Sequence, residues 1–190
     1  MAGRLSENEK KILLKVAREA ITYAVDGLPL NEIDISNLSA NLRSKGASFV
    51  TLTINGKLRG CIGALEAYQP LVLDVQEHAA AAAMEDYRFN QVSIEEIPSL
   101  KIEISWLTPT VKLDYGDSKD LVSKLRPEMD GVLIKDGSRR ATFLPQVWEQ
   151  IPNSEEFLSR LCVKMGSPPD LWYKKNLDVF IYQVEEFKEE

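Results

Sequence analysis

Two dipeptides do most to limit the folds open to this chain. Asn55-Gly56 and Asp136-Gly137 each stand between short runs in which apolar and polar residues alternate. An Asx-Gly pair accepts the positive φ that a tight two-residue turn demands, and such a turn joins antiparallel strands. Before the first, Val50, Leu52 and Ile54 alternate with Thr51 and Thr53, and a return strand is expected over residues 57–62. Around the second, residues 131–135 lead in and residues 138–144 lead out. Each hairpin is followed by a proline that suits the first helical position: Pro70, opening a helix to about Asp86, and Pro145, opening a short one through Ile151. This recurrence of hairpin, proline and helix points to two similar units.

The remaining segments fit the same class. Ser6 with Glu9 three residues on predicts a capping box, and Ile12, Leu13, Val16, Ala17, Ala20, Ile21 and Ala24 form one helical stripe that Gly27 and Pro29 end. Residues 28–47 read as a loop with at most a short helix. Ile102, Ile104 and Trp106 alternate within a half-buried strand over 101–107, and residues 118–125 read as a short helix. Asn153 with Glu156 caps a further helix that Gly166 stops, Pro168-Pro169-Asp170 starts a last helical piece, and residues 178–187 read as a terminal strand. The expectation is an α+β fold: one domain over residues 1–190, or two joined lobes of about 1–110 and 111–190, around an antiparallel or mixed sheet. With 44% hydrophobic and 27% charged residues over 190 positions, the chain can bury a core without covalent staples.

Several function classes recede on composition. The formal net charge of −6 argues against nucleic-acid binding, which draws on a basic surface. The longest apolar run, residues 79–84, is far short of a membrane span. Cys61 and Cys162 make no disulfide framework and the start has no apolar leader, so a reducing, cytoplasmic setting is expected. One histidine and two distant cysteines offer no zinc spacing, so no metal and no cofactor is expected.

The segment Leu58-Arg59-Gly60-Cys61-Ile62-Gly63 is the strongest candidate site. In an unbroken hairpin Leu52 faces Arg59 and Val50 faces Cys61, which sets guanidinium and thiol on one face. A nearby cation favours thiolate, so Cys61 is a candidate nucleophile with Arg59 as electrostatic partner. Gly60 and Gly63 flank the thiol without side chains, opening space or admitting another backbone. The competing reading makes Cys61 a small core residue with Arg59 at the sheet margin. His78, on one helical face with Leu71, Val75 and Ala82, is either a hydrogen-bonded structural histidine or a catalytic partner of Cys61. Arg88 pairs locally with Asp86 or binds an anion. Cys162, with Phe157, Leu158, Leu161 and Met165, reads as core.

The hexapeptide resembles the hallmark of the AMMECR-one family. Further matches follow in order: Asp86-Tyr87-Arg88-Phe89, the run from Ile102 through Leu107-Thr108-Pro109, Leu144-Pro145-Gln146-Val147, Glu156-Phe157-Leu158, Leu161-Cys162-Val163-Lys164-Met165-Gly166 and Pro168-Pro169-Asp170. Tyr87 departs from the pattern, standing where many relatives carry proline. The resemblance implies two β-rich repeats sharing one barrel-like sheet with helices packed outside. It also implies protein A of the AmmeMemoRadiSam system, a context that includes a Memo-like protein and a radical S-adenosylmethionine enzyme as partners. It names Arg59, Gly60, Cys61 and Gly63 as the suspected patch and supplies no reaction. Two functions follow as expectations: a binding or adaptor subunit, or an enzyme or covalent carrier using Cys61.

Overall fold

Ser6 starts the first helix as its spacing requires. Its hydroxyl accepts the Glu9 N–H, and the Glu9 carboxylate accepts the Ser6 N–H at 2.7 Å. The computed structural model describes residues 4–189. Helix α1 (Glu7–Val25) buries Leu13, Ala17, Ala20 and Ile21, the centre of the expected stripe. The region read as a loop holds a 3-10 turn (Ile35–Asn37) and a one-turn helix α2 (Ala40–Arg43). Strand β1 (Lys45–Ile54) then starts earlier than the alternation signalled, followed by β2 (Lys57–Gly63), a two-residue β3 (Gln69–Pro70) and helix α3 (Leu71–Met84). A 3-10 turn (Ile94–Ser99) leads into β4 (Leu100–Leu107).

Next come β5 (Val111–Lys112), α4 (Ser118–Lys124), β6 (Gly131–Asp136) and β7 (Arg139–Phe143). Pro145 opens a 3-10 turn (Pro145–Glu149) rather than an α-helix, and α5 (Ser154–Lys164) starts on the Asn153 cap. Helix α6 (Leu171–Lys174), β8 (Asp178–Tyr182) and β9 (Val184–Lys188) complete the chain.

The strands form two separate antiparallel sheets. One has the order β2-β1-β4-β9, with β3 also on β1; the other has the order β5-β8-β6-β7. The expected single barrel-like sheet is therefore corrected: neither sheet closes, and no one sheet is shared. The cause is a break at Gln183. Its N–H donates to Thr108 Oγ1 at 2.8 Å and its carbonyl accepts the Thr108 N–H at 2.8 Å. That exchange divides the expected terminal strand, sending residues 178–182 to the second sheet and 184–188 to the first.

The chain forms two compact units: residues up to Leu107 together with those from Glu185, and residues from Thr108 to Val184. In the first, α1 and α3 cover one face of the sheet, where Val50, Leu52, Ile102 and Ile104 meet Leu13, Ile21, Val75 and Ala79. Each large aliphatic side chain buried this way contributes roughly 1.5–3 kcal/mol. In the second, Trp148 stacks on Phe157 with ring centroids 3.7 Å apart and donates its indole N–H to the Asp130 carbonyl at 2.7 Å. Cys162 lies fully buried in that core, as read from its stripe, and burial pushes its thiol pKa up.

Candidate functional site

Strand β2 does not follow an unbroken two-residue alternation. Ile54 pairs with Lys57 and Thr53 with Leu58, but Leu52 pairs with Gly60, so Arg59 is an extra residue. This β-bulge shifts the partners from there on: Thr51, not Val50, faces Cys61, and Val50 faces Ile62. Leu52 and Val50 are fully buried beneath α3, so Cys61 shares the opposite face of the sheet with Thr51. The Thr51 hydroxyl donates to Cys61 Sγ at 3.3 Å.

The bulge sends the Arg59 side chain to the segment after α3. Its Nε and Nη2 grip the two oxygens of Glu96 at 2.7 and 2.9 Å, and its Nη1 and Nη2 donate to the Asn90 and Gln91 carbonyls at 2.8 and 3.1 Å. The guanidinium brings Glu96 down to about 2, helped by the Ser93 N–H. Arg59 is therefore engaged in tying β2 to residues 90–96, which corrects its expected placement beside the thiol.

The cation beside Cys61 is Arg88. Asp86, buried at the end of α3, accepts the Cys61 N–H at 2.8 Å. It also accepts Arg88 Nε at 2.9 Å and Nη2 at 2.7 Å. Arg88 Nη2 donates as well to the Cys61 carbonyl at 3.3 Å. The Arg88 guanidinium, then the Cys61 N–H, hold the Asp86 carboxyl well below the usual carboxylate range. Arg88 is correspondingly made more basic, first by Asp86 and, more weakly, by the negative charge the Cys61 sulfur can carry. The pairing of Arg88 with Asp86 expected from the sequence is present. Between the two, Tyr87 is 93% exposed.

Gly60 and Gly63 admit other atoms; they do not open space. A Cβ on Gly60 would stand 2.1 Å from the Ala82 carbonyl oxygen of α3, and one on Gly63 would stand 2.4 Å from the Phe49 ring. The strand lies against the helix only because Gly60 has no side chain, while Gly63 makes room for the Phe49 ring of β1.

His78 belongs to a different cluster. Its Nδ1 lies 3.2 Å from Oδ2 of the fully buried Asp74, and Ser48 donates its hydroxyl to the same oxygen at 2.6 Å. The pleat that turns Cys61 away from α3 keeps His78 off that face, so the Cys61/His78 pair considered from the sequence is not assembled. Glu96, Thr51, Asp74 and Ser48 were not foreseen as partners. Only Glu96 had a local signal, the Ser93-x-x-Glu96 spacing of a capping box, which is formed. No group of three or more metal-ligating side chains is found among the described residues. None of their helices is long and apolar enough to cross a membrane.

Comparison with known proteins places this geometry. A protein of Methanothermobacter thermautotrophicus is 36% identical over 191 residues, spanning 98% of this chain and 97% of its own. Protein MK0488 of Methanopyrus kandleri is 34% identical over 198 residues, spanning 100% and 93%. Among solved structures, the uncharacterized protein PH0010 from Pyrococcus horikoshii matches with a TM-score of 0.76 at 32% identity, over 98% of this chain and 94% of that one. The AMMECR1 family model matches residues 14–187, which include the bulged hexapeptide, the Asp86/Arg88 turn and all but the last residue of the two sheets. The chain belongs to the AMMECR1 family.

Proposed function

We propose that this AMMECR1-family chain is a binding, adaptor-type subunit acting with a Memo-like protein and a radical S-adenosylmethionine enzyme. One observation carries the reading: the charged groups of the hexapeptide region are engaged inside the fold. Arg59 is held by Glu96 and two carbonyls, and Asp86 is held by Arg88 and a backbone N–H. The hydrogen-bond partner of the sulfur is a neutral hydroxyl, Thr51, which is poor equipment for proton transfer at neutral pH. What projects outward is contact surface, with the nearly bare ring of Tyr87 between two residues locked in place. An exposed aromatic on a rigid support is the usual anchor of a protein interface.

The test is co-purification of the full chain with a Memo-like protein and with a radical S-adenosylmethionine enzyme, with affinities from calorimetry. A complex that Tyr87→Ala weakens about tenfold or more is expected. No complex with either protein, in reducing or oxidising buffer, overturns the reading.

A second reading has its own observation. Cys61 Sγ accepts the Thr51 hydroxyl and Arg88 holds the carbonyl of the same residue, which brings one donor and one cation to the residue a nucleophile or covalent carrier would use. Alkylation of Cys61 at pH 7 faster than that of free glutathione supports it; an equal or slower rate rejects it.

A further inference from the structure

The 24 residues between Arg18 and Arg43 hold no lysine or arginine, and they hold four carboxylates, Glu19, Asp26, Glu32 and Asp34. This stretch is tied to α3, where Gln76 Nε2 donates to the Asn31 carbonyl at 2.8 Å, and α3 has no lysine or arginine either. Residues 108–184 hold 11 Lys and Arg against 11 Asp and Glu, so the net charge of −6 belongs to the first unit.

Helix α1 adds to the imbalance. Its last turn has no basic side chain and its C-cap is Asp26, so a carboxylate stands at the end where the helix dipole already puts negative charge. Lys15 is taken by Glu19 at 3.7 Å. Among the described residues, no lysine or arginine stands at ion-pair distance from Asp26, Glu32 or Asp34. Asp34 is held below its usual range by the Ser36 hydroxyl and N–H, not by a cation.

Between these charges the chain shows apolar side chains. Leu28 is 52% exposed and Leu30 37%, with the exposed Pro29 between them. Ile33, Ile35 and Leu38, further on, turn inward and pack against the core. The backbone of the segment is fixed: the Leu28 N–H donates to the Tyr23 carbonyl at 2.9 Å, and the Ser36 N–H donates to Asp34 Oδ1 at 2.9 Å. An ordered apolar tip held in water, with polar residues around it, is a contact surface.

We propose that residues 26–34 dock a basic segment of a partner protein, one that carries large apolar side chains between lysines or arginines. The apolar side chains cover Leu28 and Leu30, and the cations meet Asp26, Glu32 and Asp34. A cation at Asp26 also meets the negative end of α1. A charged membrane leaflet suits the leucines but is repelled by the carboxylates, and nucleic acid is repelled by the same sign. The inference extends the adaptor reading to a second face of the first unit, and it rests on that reading for the existence of a protein partner.

The experiment is titration of the full chain, followed by backbone amide NMR, with a blocked nonapeptide of alternating lysine and leucine. The controls are the same peptide with serine for leucine, the same peptide with glutamate for lysine, and vesicles of phosphatidylserine. Saturable shifts centred on residues 26–34 are expected with the lysine–leucine peptide, about tenfold weaker binding with the serine control, and none with the glutamate control. Leu28→Ser combined with Leu30→Ser keeps the fold, since both side chains are exposed, and should weaken binding about tenfold. Tyr87→Ala should leave it unchanged. Equal binding of the serine control overturns the proposal, as do shifts centred elsewhere and vesicle binding that the double variant removes. A titration that fails while the Tyr87-dependent complex forms overturns this surface alone. A complex that fails to form while the titration holds overturns the adaptor partners named above and keeps a basic partner here.

Discussion

The hairpins β1-β2 and β6-β7 turn in similar ways and then diverge. At the first turn Asn55 and Gly56 both have positive φ; at the second only Gly137 does. From its turn, β7 pairs with β6 without interruption, Asp136 facing Arg139 and Val132 facing Phe143. β2 instead takes in an extra arginine, drops a glycine against a helix and is laced to residues 86–96 by two arginines running in opposite directions. The regular hairpin keeps an unbroken register between its own strands and pairs with β8 through ordinary ladder contacts. The irregular one depends on a segment some 25 to 37 residues further along the chain. The hexapeptide is thus first a packing device, with Leu58 exposed and Cys61 half-buried on the face away from α3.

Three measurements can break or sharpen that contrast. The largest effect is expected from Gly60→Ala. Its new methyl meets the Ala82 carbonyl oxygen at 2.1 Å, a backbone atom that cannot rotate aside. Stability should fall by about 3 kcal/mol or more in urea unfolding. Gly137→Ala meets nothing within 4 Å and strains only its φ of +61°, so about 1 kcal/mol is expected there. Equal losses would erase the distinction between the hairpins.

A middle effect separates the two arginines. Arg59→Ala removes four hydrogen bonds and leaves Glu96 without its cation, for an expected loss of about 2 kcal/mol. Arg139→Ala should cost under about 0.5 kcal/mol, because its ion pair is partly exposed and Lys175 still holds Asp136. A costly Arg139→Ala with a silent Arg59→Ala would reverse the assignment.

The smallest effect is an acid slope. Glu96 is depressed from 4.5 to about 2 in the folded chain, so its contribution is complete above its unfolded value. That contribution should fade as pH drops from about 4.5 through 2, by about 1 kcal/mol after solvent screening. Asp86 is depressed further and lets go at still lower pH. Unfolding curves from pH 6 to pH 2 check this: Glu96→Gln should flatten the upper part of the slope, and an unchanged slope would mean that the Arg59/Glu96 pair adds nothing.

What could be read from the sequence was local. The Ser6/Glu9 box, the Asn153 cap, the Asn55-Gly56 turn and the stripe of α1 each depend on residues within a few positions of one another, and each is found. The second turn lies one residue later than expected, at Gly137 and Ser138, because Asp136 pairs with Arg139 in the ladder and is held there by Arg139 and Lys175. The bulge had no local sign: alternation is preserved in the letters, and the extra residue is fixed by Glu96, 37 positions on. The break at Gln183 depends on Thr108, 75 positions back. The two-residue count that placed Arg59 beside Cys61 fails for that reason, and the carboxylate that Cys61 does meet comes from the turn after α3. Strand existence followed from pattern, while register and partners followed from contacts that only the folded chain supplies.

Asp86 and Arg88 fill both outward hydrogen-bonding groups of Cys61 on the outermost strand of its sheet, the positions a further strand would use. A second polypeptide cannot therefore lengthen the sheet at that residue, and neither can a stray copy of the same chain seeking a template for aggregation. Whatever meets the sulfur must descend onto the sheet surface from above, so recognition there depends on shape and side chains, with no generic backbone zipper to assist it.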